Sequence, residues 1–434
     1  MDIATLSLLL LVGILVLLAM GVPLGFATGF LGVLIAYGKF GVPGLGLVMQ
    51  RMYGLATEYV IISVPLFIFM ASLLERSGIA RDMYDALNVW LYRVRGGVAV
   101  VTTLMAVIMA AMSGIIGGEI VLLGLVALPQ MLRLGYNQNL AIGTICAGGS
   151  LGTMIPPSIV LIVYGLITES SIHALFIAAV IPGLMMGGIY IVYVIVRTQL
   201  NPSLAPIDEN IAADMPFRER LVHARGIIPP VLLVFVVLGS IYGGVTSITE
   251  AAGIGVIGSL IIIAIRRELN WKMFNEALAQ TFRSSGTILW VTFGATILAG
   301  AYNLSGGPAY VANLIIGLDL PPMGVILAMM VIFLLLGMFM DWIGIVLLAM
   351  PVFLPIVVKL GYDPIWFGIL FCINMQVSFL SPPFGPAAFY LKSVCPPEIT
   401  LIDIFRSFGP FICLQLLVLA LVLLFPQLAL VLVR

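Results

Sequence analysis

The sequence predicts an all-α polytopic membrane protein built as an inverted structural repeat, each half holding one re-entrant helical hairpin and one broken helix. Three observations predict it. Hydrophobic residues are 62% of the 434 positions and charged residues 9%, against about 25% charged in soluble domains. Pro156-Pro157 and Pro382-Pro383 each interrupt an apolar run long enough to cross a bilayer. Proline removes a helical donor and clashes with the preceding turn. In hydrocarbon such a break survives only where protein or a wet cavity satisfies the freed carbonyls. The interruptions also share one spacing: 382 minus 156 is 226, and 390 minus 164 is 226 for the tyrosines that follow them.

In chain order, the apolar segments of the first half are 5–20, 22–36, 58–75, 97–133, 138–168 and 173–197. Leu6 to Met20 has no basic stretch before it and reads as a retained span, not a cleaved signal. A mixed-charge linker, 198–225, separates the halves. The second half repeats the order at 226–244, 248–265, 284–301, 323–357, 364–392 and 404–431. The two repeats are therefore 1–197 and 226–434. Gly118 with Gly344, Pro129 with Pro355, Gly135-Tyr136 with Gly361-Tyr362, and Cys146 with Cys372 keep the 226-residue register without a gap. The cysteines show no metal-ligand spacing and read as small core residues.

Basic residues set the orientation. Residues 76–95 carry Arg76, Arg81, Arg93 and Arg95, whereas the equivalent 302–321 carries no Lys or Arg. Conversely, 266–283 carries Arg266, Arg267, Lys272 and Arg283, while 40–57 carries only Arg51. Equivalent loops that alternate in charge satisfy the positive-inside rule only if the halves are inverted. Of 19 Lys and Arg, all but Lys39, Arg51, Lys359 and Arg434 then fall in the cytoplasm, with the linker inside and both termini outside. This threading needs 97–133 and 323–357 each to enter and leave on one side, the first from the cytoplasm and the second from outside. Their expected turning points are Ser113-Gly114 and Gly337 to Asp341.

Each half thus sets a hairpin tip against a broken helix. Helix N-termini at such breaks offer N–H groups to anions, and C-terminal ends offer carbonyls to Na⁺. The first candidate cation site comprises Ser113, Gly114, Gly152, Met154, Pro156 and Ser158. The second comprises Gly337, Asp341, Ser378, Ser381 and Pro382. Close helix packing is the alternative reading of the glycines. Asp341 is expected deep in the second hairpin without a basic neighbour, where an ionisable group marks function by default; a protonated or capping carboxylate is the alternative. Glu119 follows the first tip and is read as balancing a cation, taking a proton or capping a helix. Asn374 and Gln376 join it as candidates for substrate binding or coupling, on chain expected to be unwound or else packed as helix. Glu58 and Glu250 read as interfacial, and His173 and His223 receive no role. The expected metal is Na⁺ alone, with no other cofactor and no catalytic residue.

At this point the residues resemble a known family. Gly152-Thr-Met-Ile-Pro-Pro-Ser-Ile-Val-Leu-Ile-Val-Tyr-Gly165 is similar to the signature of the large membrane subunit of tripartite ATP-independent periplasmic (TRAP) transporters. Gly337-Met-Phe-Met-Asp341, Gly361-Tyr-Asp-Pro-Ile-Trp-Phe-Gly368, Phe379-Leu-Ser-Pro-Pro-Phe-Gly385 and Phe425-Pro426-Gln427 resemble its second-half motifs. The resemblance implies an elevator-type transporter of the bacterial inner membrane, driven by Na⁺ without ATP. It also implies a periplasmic substrate-binding protein that delivers an organic acid, and a small four-helix membrane subunit. One departure is at the first tip, where the family usually reads Ser-Gly-Ser-Ser and this chain has Ser113-Gly114-Ile115-Ile116. Ile115 replaces a hydroxyl near the first Na⁺ site. The Ser-Pro-Pro-Phe-Gly-Pro variant resembles branches that handle keto acids or other monocarboxylates more than sialic acid carriers.

Other classes fit less well. Zero net charge gives nucleic acid no purchase; lipid is the surrounding phase. The Gly-x-Gly-Asp and His-Glu-x-x-His motifs of intramembrane proteases are missing, so the chain reads as no enzyme. An elevator-type carrier that works without a binding protein would share the inverted repeats and paired hairpins and differ in partners.

Overall fold

The computed structural model describes residues 2–91, 94–114, 117–206, 226–316 and 321–433. Ile115 and Ile116 at the first tip, and 207–225 of the linker, lie outside the described residues. Among the described residues the regular structure is helical. Six stretches are long and apolar enough to cross a membrane: Tyr59–Arg76, Ile172–Leu200, Ile248–Ile265, Trp271–Leu304, Trp342–Lys359 and Leu401–Leu424. Several shorter apolar helices stand beside them, as hairpins and broken helices require.

The first half runs α1 (Ile3–Ala19), α2 (Leu24–Phe40), α3 (Val42–Ala56), α4 (Ser63–Arg76) and α5 (Ile79–Leu91). Then come α6 (Gly97–Ser113) and α7 (Gly118–Arg133), α8 (Gln138–Gly149) and α9 (Ile159–Thr168), and α10 (Ile172–Leu200). The second half runs α11 (Ile228–Tyr242), α12 (Ile248–Ile265), α13 (Trp271–Leu304) and α14 (Gly307–Ile316). It continues with α15 (Pro322–Gly337) and α16 (Trp342–Lys359), α17 (Pro364–Leu380) and α18 (Pro386–Lys392), α19 (Leu401–Leu424) and α20 (Gln427–Leu430).

Helix starts keep the sequence register to within two residues. α2 begins at 24 and α12 at 248, a difference of 224, and α8 begins at 138 and α17 at 364, a difference of 226. The caps agree as well: Asn137 accepts from Asn139 N at 3.0 Å, and Asp363 accepts from Ile365 N at 2.8 Å, one residue before each broken helix. Three segments expected to be loops contain helices, namely α3, α5 and α14. α5 was hidden by its charge, since Arg81, Asp82 and Asp85 interrupt any apolar run while one face of the helix is buried. A fourth, 266–283, is mostly the first half of α13. Its first-half counterparts are the separate helices α3 and α4, parted by a 3-10 turn at Tyr59–Ile62.

Packing is reciprocal between halves. α2 lies along α13 while α4 lies along α12 and α13; α7 packs on α18 while α16 packs on α9. Glycines permit the closest crossing: a Cβ at Gly32 would stand 2.7 Å from the Leu298 backbone nitrogen. Arg76 pairs with Glu276 at 2.7 Å, and Arg266 pairs with Asp82, so the two arginine-bearing loops meet at one end. Lys39 reaches the carbonyl of Ser305 at 3.1 Å, joining α2 to the turn after α13. The Arg76–Glu276 pair is half exposed and contributes little to stability, about 1 kcal/mol or less.

Candidate functional site

The first hairpin turns where the sequence placed the turn. α6 ends at Ser113, and Gly114 takes the left-handed conformation at φ 58° that glycine adopts without penalty. Gly117, at φ 109°, starts α7. Facing this tip, α8 ends at Gly149, a 3-10 turn follows at Leu151–Thr153, and Pro156 and Pro157 keep the chain from continuing as helix. Ser158 then caps α9, accepting from Leu161 N at 3.5 Å and donating to the Thr153 carbonyl at 2.5 Å.

Tip and break touch. Ile159 N donates to the Gly114 carbonyl at 3.4 Å, and a Cβ on Gly114 would run into the carbonyl of Pro157. Ser113, Gly114, Pro156 and Ser158 are therefore brought together, with Gly152 and Met154 in the same fully buried stretch. Ser113 Oγ donates to Glu119 Oε1. Glu119 is 0% exposed, and its Oε2 has no partner among the described residues. Glu75 is its charged neighbour and stands against Gly118; a Cβ there would be 2.5 Å from Glu75 Oε1. Glu75 was not among the sequence candidates, because one glutamate before a basic loop carries no signal of its own.

Glutamine at 119 keeps the oxygen that accepts from Ser113. Glu119→Gln is therefore expected to hold uptake within about threefold of the parent, under 1 kcal/mol. Initial rates at saturating Na⁺ check this; a complete loss would make the negative charge itself essential.

The second site departs from the first in three ways. Asn374, Gln376 and Ser378 lie inside the continuous helix α17, so the unwound reading of that stretch does not hold. Their alternation does not leave them idle. Asn374 Nδ2 donates to the Met330 carbonyl at 2.9 Å, and Ser378 occupies the space a side chain on Gly337 would need. Asn374 Oδ1, both polar atoms of Gln376, and Ser378 Oγ are buried without partners among the described residues. Buried polar atoms ordinarily find one, so this group is where a bound cation or polar ligand has most to offer.

Asp341 is the second departure. It was expected deep and enclosed, yet its side chain is exposed, next to Phe339 at 71% exposure. Asp341 holds the N-cap position of α16 but makes no cap hydrogen bond, and it takes part in no ion pair among the described residues.

The third is the break itself. Ser381 ends α17, its Oγ donating to Val377 O at 2.8 Å, but Pro382 and Pro383 are exposed where Pro156 and Pro157 are buried. The sequence repeat thus yields one enclosed site and one open one. No group of three or more His, Cys, Asp or Glu is placed to hold a metal among the described residues. A cation here would rely on carbonyls, hydroxyls, amides and single carboxylates, the donors that suit Na⁺ in broken helices. A cleft of about 1180 Å³ lies apart, lined by Arg51, Glu58, Glu169, His173, Asn303 and Pro351 among others.

Comparison with known proteins bears on this arrangement. The chain is 29% identical over 347 residues to the C4-dicarboxylate TRAP transporter large permease protein DctM of Pseudomonas aeruginosa, covering 79% of each. It is 30% identical over 423 residues to the ectoine TRAP transporter large permease protein TeaC of Halomonas elongata, covering 95% of this chain and 96% of that one. Against the isethionate TRAP transporter permease protein DctMQ of Oleidesulfovibrio alaskensis it is 28% identical over 407 residues, 93% of this chain and 62% of the other. The YdaH transporter of Alcanivorax borkumensis shares the fold, with a TM-score of 0.64 at 18% identity over 89% of this chain and 88% of that one. Residues 11–428 match the family model described as the tripartite ATP-independent periplasmic transporter, DctM component, and the chain belongs to that family.

Proposed function

We propose that the chain is the large membrane subunit of a Na⁺-coupled importer that takes a small organic acid from a periplasmic binding protein and carries it inward by an elevator movement. The observation that carries this reading is the pairing of a hairpin tip with a broken helix in each half, beside buried oxygens that lack partners. Relatives named for C4-dicarboxylates, ectoine and isethionate point to small polar organic solutes. No Lys or Arg stands in either hairpin interior, so the acid would be held by helix ends, hydroxyls and the bound cation. The hairpins and broken helices form the moving body, and α2, α4, α12 and α13 the scaffold it slides along. The small four-helix subunit completes that scaffold.

The test is reconstitution. The chain, its small subunit and the cognate binding protein are placed in proteoliposomes, after a thermal-shift screen of the binding protein against organic acids has chosen the substrate. Uptake that needs all three components supports the reading. Uptake by this chain alone would identify a binding-protein-independent carrier, and uptake that does not saturate would identify a channel.

The orientation has its own test. Two arginine-bearing loops that pair with each other belong on one side of a membrane, and the positive-inside rule makes that side cytoplasmic. A cysteine introduced at Asn210 in the linker should stay unlabelled by an impermeant reagent in intact spheroplasts. Labelling there would overturn the inverted repeat.

A further inference from the structure

Tyr164 and Tyr390 occupy equivalent positions, each following its double proline, but the fold uses them differently. Tyr164 is 0% exposed; its ring lies on Gly368 of the opposite half, and its hydroxyl donates to the Pro364 carbonyl at 2.8 Å. Tyr390 also lays its ring on a glycine of the opposite half: a Cβ on Gly117 would be 2.8 Å from its Cζ. Its ring stacks on Phe379, with centroids 6.2 Å apart. Here the likeness ends. Tyr390 is 42% exposed, and its hydroxyl has no hydrogen-bond partner among the described residues. Gly117 belongs to the first hairpin tip, and Asp341, at the second, is the charged neighbour of the Tyr390 phenol. Tyr390 thus packs on the first tip, within the electrostatic reach of the second, while keeping a free donor.

We propose that Tyr390 lines the substrate site, its ring held between Gly117 of the first hairpin tip and Phe379, and its hydroxyl donating a hydrogen bond to the carboxylate of the transported acid. The inference rests on the importer reading above and adds the residue that meets the cargo. The chemistry suits the place. A phenol offers an apolar face to a carbon skeleton and a neutral donor to an anion. An arginine there would pair permanently with Asp341 and take that carboxylate from the cation; a tyrosine can bind an acid without doing so. Held rigidly by Gly117 and Phe379, the ring loses little freedom on binding. The equivalent hydroxyl on Tyr164 is already committed to Pro364, so only the second tyrosine is available.

The experiment compares Tyr390→Phe with the parent complex in proteoliposomes, using labelled succinate, or the labelled acid that the binding-protein screen selects in its place. Initial rates are read against the concentration of loaded binding protein and, separately, against Na⁺. The expected result is a fall of about tenfold in the rate at limiting loaded binding protein, the loss of one hydrogen bond to a charged group, with Na⁺ half-saturation unchanged. Tyr164→Phe serves as the contrast: it should lower the melting temperature and leave the substrate dependence alone. An unchanged rate for Tyr390→Phe would overturn the proposal. So would a raised Na⁺ half-saturation with full rate restored by high Na⁺, because Tyr390 would then act through Asp341. If the parent complex takes up no organic acid, the importer reading itself fails, which is distinct from either result for the variant.

Discussion

Replacing Asp341 by asparagine is expected to abolish uptake at ordinary Na⁺ concentrations while leaving expression and assembly intact. Asparagine serves as well as aspartate at a helix N-cap, so α16 should start where it does now. The side chain makes no cap hydrogen bond and no ion pair that the change would break. What disappears is a full negative charge at the second hairpin tip. A cation held there by one carboxylate and neutral oxygens loses its main electrostatic attraction. We expect the Na⁺ concentration for half-maximal uptake to rise by at least about tenfold, equivalent to about 1.4 kcal/mol. Titration of uptake against Na⁺ checks this. Unchanged Na⁺ dependence would leave the second ion site to Ser378, Ser381 and backbone carbonyls.

The second large effect is expected from Gly114→Ala. Gly114 sits at φ 58°, where an L-residue costs about 1–2 kcal/mol. The added methyl would also meet the carbonyl of Pro157, a backbone group that no rotamer change can remove. Overpacking of that kind costs about 1–3 kcal/mol more. The tip must therefore retreat from the broken helix, parting Gly114 from Ile159 and opening the enclosed site. Loss of uptake and a lower melting temperature are expected together. Gly188→Ala is the control, since that glycine is helical with nothing within 4 Å of an added Cβ; it should be neutral or slightly stabilising. Wild-type uptake in Gly114→Ala would mean that the first tip works without close contact to the break.

Much of this architecture was legible in the sequence because prolines and glycines act locally. Pro156-Pro157 and Pro382-Pro383 had to end helices, and Ser113-Gly114 and Gly337 to Asp341 had to turn them, whatever surrounded them. The shared register of the halves followed from those same residues. Features that depend on exposure or on distant contacts were not legible. Pro382-Pro383 stand in the same pattern as Pro156-Pro157, yet packing leaves one break open and the other closed. α5 went unseen because a charged, one-sided helix leaves no apolar run. Asn374, Gln376 and Ser378 alternate as extended chain would, yet tertiary packing on α15 holds them in a helix. Tyr390 was visible only as a repeat marker, since its meeting with Gly117 joins residues 273 positions apart, from 390 minus 117.

The central claim is that cation occupancy at the two tip-and-break sites drives transport. It is tested most directly by measuring uptake in the complete reconstituted complex as a function of inward Na⁺ and of pH, each varied alone. The account predicts uptake that requires Na⁺ and rises cooperatively with its concentration, as two ions per cycle demand. Uptake driven equally well by a pH gradient in Na⁺-free medium would contradict it, and would move the coupling to a proton at Glu119.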